Sequence, residues 1–564
     1  MSENSLRSTR WGWAIRCLVI PACLILLSDQ RQAVAGKDEL TIGITQFPST
    51  LNPNIDAMAA KSYVLGATLR PFTVYDADWK LVCLLCVKLP SIEDGDAVPV
   101  DLPDGKKGID LTFTIRPDAS WGDGVPVTTE DVLFTYQVGR DPASAVANGE
   151  LYRRITDITV KDDKTFTLRV DKLTFDYAAI NDFVLLPAHL ERSAFNEPAQ
   201  YRVRTRYDND PTNPGLYNGP YRISEIAAGS HISLEPNPSW QGPKPHFRRV
   251  TIRAIENTAA LEANLLSGTI DMVAGELGFP LEDAIAFEKR HRDAYQIVYK
   301  PSLVYEHVDC NLDSPVLADR RVREALILGL DRDAMTGQLF AGQQPVADSF
   351  VNPLDSGYST DLPHYRHDPE RAAALLEAAG WRKQANGPRI DANGNRLTLE
   401  LMTTAGNRSR ELVEQVLQSQ WRRIGVEVRL RNEPARVLFG QTLRHRQFQL
   451  AMYAWISSPE NVPRSILHSR EIPGPGNSFA GQNLSGFNNP ETDRLLDALE
   501  VELDPARRHS LWAELQRLYA TELPSLPLYF RSSVFVLPKW LSGVRPTGNQ
   551  YPSTLWITDW KPEQ

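Results

Sequence analysis

Positive charge is under-supplied in this chain. Its 564 residues carry 61 Lys and Arg against 70 Asp and Glu, a net charge of −9 with pI near 5.7. That argues against a nucleic-acid binder, which would show a basic patch or stripe. Long apolar runs are also missing. Cys17 to Leu27 (CLVIPACLILL) spans eleven residues, too few to cross a bilayer as a helix. Catalytic signatures are absent as well: there is no H-E-x-x-H, phosphate-binding Walker loop, G-x-S-x-G or paired Cys–His pattern. Carboxylates are plentiful, so a glycosidase-like acid pair has no signal either way. The ten histidines are scattered. His364 and His367 stand three apart, but Asp368-Pro369 sets them ahead of a helix rather than on one, and a metal site needs three or four ligands. No metal and no cofactor is expected.

Cysteine is scarce. Past residue 35 only Cys83, Cys86 and Cys310 remain, an odd number that cannot all pair within one molecule. Cys83 and Cys86 form a C-x-x-C, yet a redox motif would want a βα context and a zinc site a second ligand pair. The first reading is two buried apolar thiols. A local disulfide in an oxidising compartment is the alternative.

What is present starts with the N-terminus. Arg7, Arg10 and Arg16 precede the apolar run, and Ala33-Val34-Ala35 makes a small-x-small cleavage site before Gly36. This is the pattern of a secretory signal over residues 1–35, with a retained anchor as the alternative. Cys23 as a lipidation site would leave Leu24 to Leu27 outside the apolar core, so the expected mature protein is free and soluble.

At this length two or more domains are expected, and 42% hydrophobic with 23% charged residues is ordinary for a globular chain. Strand and helix signals alternate throughout, which predicts α/β layers with mixed sheets. Leu40 to Ile44 alternates as a first strand. Ile158 to Val160 and Thr165 to Val170 read as a hairpin around Asp162-Asp163-Lys164, and residues 91–110 as a polar surface loop. Helix starts are placed by capping residues: Thr128 with Asp131 three residues on, Asn257, Asp319, and the Asx-Pro pairs Asp368-Pro369, Asn489-Pro490 and Asp504-Pro505. Gly268, Gly380 and Gly425 end helices. Leu511, Leu515 and Leu518 make a core-facing stripe. A second unit begins near Pro301, with a strand over Tyr305 to Asn311.

The stretch Phe113 to Val132 (FTIRPDASWGDGVPVTTEDV) resembles the signature F-x-L-R-x-x-x-x-W-x-D-G-x-P-V-T-x-x-D-V of the large solute-binding proteins of peptide-type ABC importers. Further segments are similar to that family: Pro48 to Pro53 (PSTLNP), with Asn52 where Asp is usual; Gly219-Pro220-Tyr221; Ser267-Gly268-Thr269-Ile270-Asp271; and Asp319 to Leu326 (DRRVREAL). The resemblance runs from about Leu40 to Phe530. It implies a two-lobed periplasmic-binding-protein fold with a hinge and an extra subdomain in lobe one. Residues 36–300 would form lobe one (extra subdomain at about 70–155), 301–527 lobe two, and 528–564 the return to lobe one.

The family's lobe-two wall carries W-x-x-D-x-x-D-P, whose first Asp holds a peptide's ammonium. Here Tyr453 to Asn461 reads YAWISSPEN: Trp455 is kept and Ser458 stands at the Asp position. Either Glu460 substitutes, or the ligand has no free amine. The expected ligand-binding residues are therefore Tyr453, Trp455, Ser458, Glu460, Asn461 and Asn52, with Tyr152 a weaker lobe-one candidate and the loop 468–483 a cover. Tyr453 and Trp455 could equally be core aromatics. The implied protein is a monomeric periplasmic receptor, not an enzyme, that hands a peptide or other small solute to membrane permease subunits. The alternatives are an oligosaccharide or other non-peptide ligand, and a secreted hydrolase using an unrecognised carboxylate pair.

Overall fold

A computed structural model describes residues 37–103, 105–477 and 479–563. The expected signal at residues 1–35 lies outside them. Among the described residues no helix is long and apolar enough to cross a membrane.

The main sheet has ten strands: β1 (Glu39–Ile44), β2 (Tyr221–Ala227), β3 (His231–Pro236), β4 (Arg249–Ala254), β5 (Met272–Val273), β6 (Tyr295–Cys310), β7 (Thr398–Met402), β8 (Glu427–Leu430), β9 (Leu450–Ile456) and β10 (Ser525–Pro538). Their spatial order is β8-β7-β9-β6-β10-β5-β1-β4-β3-β2. Parallel pairs (β1 with β4 and β5, β7 with β8 and β9) mix with antiparallel ones, so the predicted mixed α/β class holds. The fold is two-lobed, and β6 and β10 lie side by side in the middle of the sheet. β6 is sixteen residues long, far beyond the Tyr305 to Asn311 strand read from sequence. Its first half is only half-buried, and Pro301 interrupts the alternation that would have revealed it.

β6 and β10 pair antiparallel from Tyr295 opposite Pro538 to Asp309 opposite Ser525, with the register shifting between Pro301 and Tyr305. Proline has no N–H to give to a ladder. Ser302 repairs part of the break by donating its hydroxyl to the carbonyl of Arg531 at 2.9 Å. One core contains Ile42, Phe113, Trp121 and Leu234, joined by Phe535, Ile557 and Trp560 from the chain end. A second contains Val308, Leu399, Trp421, Leu450 and Leu526, and reaches along β10 to Val534 and Val536.

The signature segment builds a second, four-stranded sheet ordered Ala97–Asp101, Lys107–Thr114, Thr165–Val170, Ile155–Val160. Phe113 and Ile115 are buried as their alternation predicts. Helix α1 (Thr129–Arg140) opens on a reciprocal capping box between Thr128 and Asp131. The Asp131 carboxylate also accepts from the Trp121 indole at 3.1 Å and the Ala188 N–H at 2.8 Å, which locks turn and helix together. The reading of 91–110 as a loop is corrected: Ala97–Asp101 is an edge strand paired with Lys107–Thr114. Only Ala97 is buried in it, so no hydrophobic alternation marks it.

In the other half, helix α2 (Arg408–Arg423) packs Val413, Leu417 and Trp421 inward, and Gly425, at φ +86°, turns the chain into β8. Helices α3 (Pro490–Val501) and α4 (Pro505–Glu522) are capped by Asn489 and Asp504 and pack through Leu495, Leu499, Trp512 and Leu515. Of the predicted stripe, Leu515 is fully buried while Leu511 and Leu518 flank it partly buried.

Cys83 and Cys86 are joined in a disulfide, not held as thiols, and Cys310 is free and buried. Just past the β6 irregularity, Glu306 is 0% exposed and carries two guanidiniums: Arg410 from α2 at 3.0 Å, and Arg531 from β10.

This packing makes two predictions. Glu306→Gln leaves Arg410 buried beside a neutral group and is expected to cost about 3–5 kcal/mol, read as a lower urea midpoint with unchanged slope. Replacing Cys83 and Cys86 together by Ser opens a four-residue loop and is expected to cost about 2 kcal/mol, a loss that reductant reproduces in the wild type but not in the variant.

Candidate ligand-binding cleft

β9 (LAMYAWI) pairs with β6 so that Tyr453 faces His307 and Trp455 faces Tyr305. Tyr453 and Trp455, two residues apart, lie on one face of the sheet, with rings edge-to-face at 5.5 Å. Their surroundings differ because the strand is leaving the sheet. Tyr453 is fully buried, edge-on to His307 at 4.7 Å, and its hydroxyl donates to the Asp309 carboxylate. That carboxylate also takes the Ser525 hydroxyl at 2.6 Å, and its pKa is lowered: burial pushes it up, but His307, Ser525 and Tyr453 together outweigh that. Tyr453 is thus packed in the core and lines neither of the pockets described below. Trp455 is half-buried, and Ile456 beyond it is 75% exposed.

The chain then turns. Ser457 N–H donates to the Leu303 carbonyl at 3.2 Å, and Glu460 adopts φ +57°, a left-handed conformation disfavoured for a residue with a Cβ. Asp355 holds it there by accepting the Glu460 N–H at 2.8 Å. The Glu460 carboxylate accepts from the Ser356 hydroxyl at 2.5 Å.

This turn forms the edge of a pocket of about 230 Å³. Its apolar wall includes Tyr305, Phe350, Trp455 and Trp512, and its polar groups include Asn352, Asp355, Ser458 and Asn461. Gln482, from the loop proposed as a cover, reaches it too. Ser458 and Asn461 also line a neighbouring pocket of about 460 Å³, whose opposite wall carries Tyr75, Asn181, Asp182, Gln550 and Tyr551. Tyr75 is buried, and its phenol is pushed up by that burial first and then by the charges of Glu460, Asp176 and Asp355. Burial raises the Tyr551 phenol as well, helped by Asp182 and Tyr75. Groups from three distant stretches of chain therefore share one cleft. At its rim the two walls touch: Lys172 pairs with Glu500 at 2.8 Å, the Phe175 N–H donates to the Glu500 carbonyl at 3.1 Å, and the Arg508 guanidinium lies 4.7 Å over the Phe175 ring.

Trp455, Ser458 and Asn461 come together as pocket residues, with Glu460 in the turn behind them. Asn52 does not join them. It is fully buried, donates to the Thr205 hydroxyl at 2.9 Å and accepts the Asn54 N–H at 3.0 Å, which fastens its loop to the 201–208 segment. Tyr152 packs in the core against Phe183. Arg464 pairs with Asp497 and Glu500 of α3. His364 and His367 pair separately, with Asp348 at 2.8 Å and Asp331 at 3.7 Å, and among the described residues no group of three or more His, Cys, Asp or Glu could hold a metal. Asp355, Tyr75 and Tyr551 were missed. They sit in no motif, and only the folded chain brings them to Ser458.

Residues 104–472 match the family model described as bacterial extracellular solute-binding proteins, family 5 middle. The chain is 26% identical over 444 residues to the oligopeptide-binding protein AppA of Bacillus subtilis (strain 168), covering 78% of each. It is 22% identical over 510 residues to the nickel-binding periplasmic protein of Escherichia coli (strain K12), covering 89% of this chain and 91% of that one. Among solved structures, the oligopeptide-binding protein of Thermus thermophilus in complex with a pentapeptide superposes with TM-score 0.67 at 28% identity, over 93% of this chain and 96% of that one. NikZ of Campylobacter jejuni in complex with Ni(L-His) gives 0.69 at 20%, over 93% and 99%. The family is one of solute receptors for ABC importers, which sets aside the hydrolase alternative. This chain belongs to the bacterial extracellular solute-binding proteins of family 5.

Proposed function

We propose that this protein is a monomeric periplasmic receptor that takes a peptide or peptide-like solute into the cleft and delivers it to a membrane permease. The observation that carries the reading is the shared lining of the two pockets: Ser458 and Asn461 meet Trp455 and Asn352 on one side and Tyr75 and Tyr551 on the other. A solute lying there touches both walls, and so favours the arrangement in which they are together. The lobes of this reading are residues 36–300 with 528–564, carrying the extra subdomain at about 70–155, and residues 301–527. The irregular ladder between Pro301 and Tyr305 is the hinge. The relatives named for oligopeptide binding support the peptide class. The contacts are Trp455, Ser458 and Asn461, with Glu460 shaping the turn.

A second reading, a non-peptide solute such as an oligosaccharide, is favoured by one feature: Ser458 stands where the family pattern has a carboxylate, next to an indole on which a sugar ring could stack. Native mass spectrometry of protein purified gently from periplasm separates the two. A ladder of peptide masses is the expected result, and a single carbohydrate mass would replace the first reading with the second.

The rim contacts make a further prediction. Arg508→Ala removes a cation–π contact worth about 0.5–1 kcal/mol and is expected to weaken binding of the recovered solute roughly two- to fivefold while leaving unliganded stability nearly unchanged. Equal affinity by calorimetry would show that the rim does not take part in closure.

A further inference from the structure

Asp355 is only 9% exposed, yet it lines the aromatic pocket. Its two hydrogen bonds come from the N–H groups of Gly357 and Glu460, both at 2.8 Å. A carboxylate offers about four acceptor positions, so capacity remains on the side that opens into the cavity. The influences on its protonation are burial, which raises it most, these two N–H groups, which lower it, and the neighbouring Glu460 charge, which raises it again; no cation figures among them. No Lys, Arg or His lines this pocket. The contrast with Glu306 is direct, because that buried carboxylate is matched by two guanidiniums. An unmatched buried charge is costly, and here it lies beside a cavity rather than against packed atoms. The cavity's other walls, Phe350, Trp455 and Trp512, offer ring faces, which attract cations.

We propose that Asp355 is the specificity-determining residue of the cleft and holds a positively charged group of the solute, an ammonium or a guanidinium, against these aromatic walls. This rests on the receptor reading and narrows it to cationic solutes. It also assigns to Asp355 the anchoring role that sequence reasoning offered to Glu460, whose own carboxylate accepts from Ser356 and lines neither pocket.

The test is equilibrium dialysis of the full mature protein, stripped of bound solute, with retention read by mass spectrometry. The probes are tripeptide pools with neutral side chains and free amino termini, the same pools N-acetylated, N-acetylated pools containing Lys or Arg, and cellotriose. Wild type is expected to retain only probes that carry a cation. The free-terminus and Lys/Arg pools distinguish a terminal ammonium from a side-chain cation as its source. Asp355→Asn is expected to weaken that retention about thirtyfold or more, and Asp355→Glu, which restores the charge, to recover part of it. Both variants are compared at matched unliganded melting temperature, so that misfolding is not read as lost recognition. Retention of acetylated neutral peptides or cellotriose as strongly as cationic probes would overturn the assignment while leaving the receptor reading intact, as would an undiminished cation preference in Asp355→Asn. Retention of no probe by wild type would overturn the receptor reading for these solute classes, and this assignment with it.

Discussion

The antiparallel ladder of β6 and β10 is what the other elements are hung from. It lies in the middle of the ten-stranded sheet, and β10 gives Phe535 and Leu537 to one hydrophobic core and Leu526, Val534 and Val536 to the other. Two paired strands resist shear along their length because hydrogen bonds fix their register, yet they bend readily where the pairing lapses. The lapse is built in: Pro301 gives no N–H, and the next matched pair is Tyr305 with Phe530. Directly beyond it Glu306, with Arg410 and Arg531, ties strand to strand and strand to helix α2. An interrupted stretch of ladder is thus followed at once by a buried ion-pair cluster, and the register shifts once more between Glu306 and His307.

The pocket owes its position to the same economy. Tyr453 and Trp455 share a face and a strand, but one ring is enclosed by His307 and Asp309 while the other lies one residue from the end of β9, still paired with Tyr305. The enclosed ring fixes the orientation of the strand end, and the free one borders the cavity. The turn that follows is held in a left-handed conformation by Asp355, so the residue that opens into the pocket also sets the shape of its edge.

Much of this was legible. Thr128, Asn257, Asp319, Asp368, Asn489 and Asp504 all cap the helices their sequence patterns predicted, because capping is a local interaction between neighbours in the chain. The family signature carried the two-lobed class. What failed was non-local or weakly patterned. The Ala97–Asp101 strand is held by backbone pairing with little burial, so its side chains carry no period. The family pattern puts Asn52 at the cleft rim, yet its amide is spent on Thr205 and Asn54. Asp355 and Tyr75 lie about a hundred residues or more from Ser458, and no spacing rule connects them. The C-x-x-C allowed two answers, and only the geometry selected the disulfide.

That disulfide is also the pairing that closes the shortest loop among the three thiols. Three thiols are available beyond residue 35, and any two of them could be oxidised together in an unfolded chain. Cys83 and Cys86 lie three positions apart, whereas Cys310 lies more than two hundred away, so closure of the short loop carries the smaller entropic penalty. Cys310 is then enclosed at the end of β6, out of reach of oxidant and of exchange. The spacing of the cysteines thus favours the native pairing over either pairing with Cys310 already in the unfolded chain.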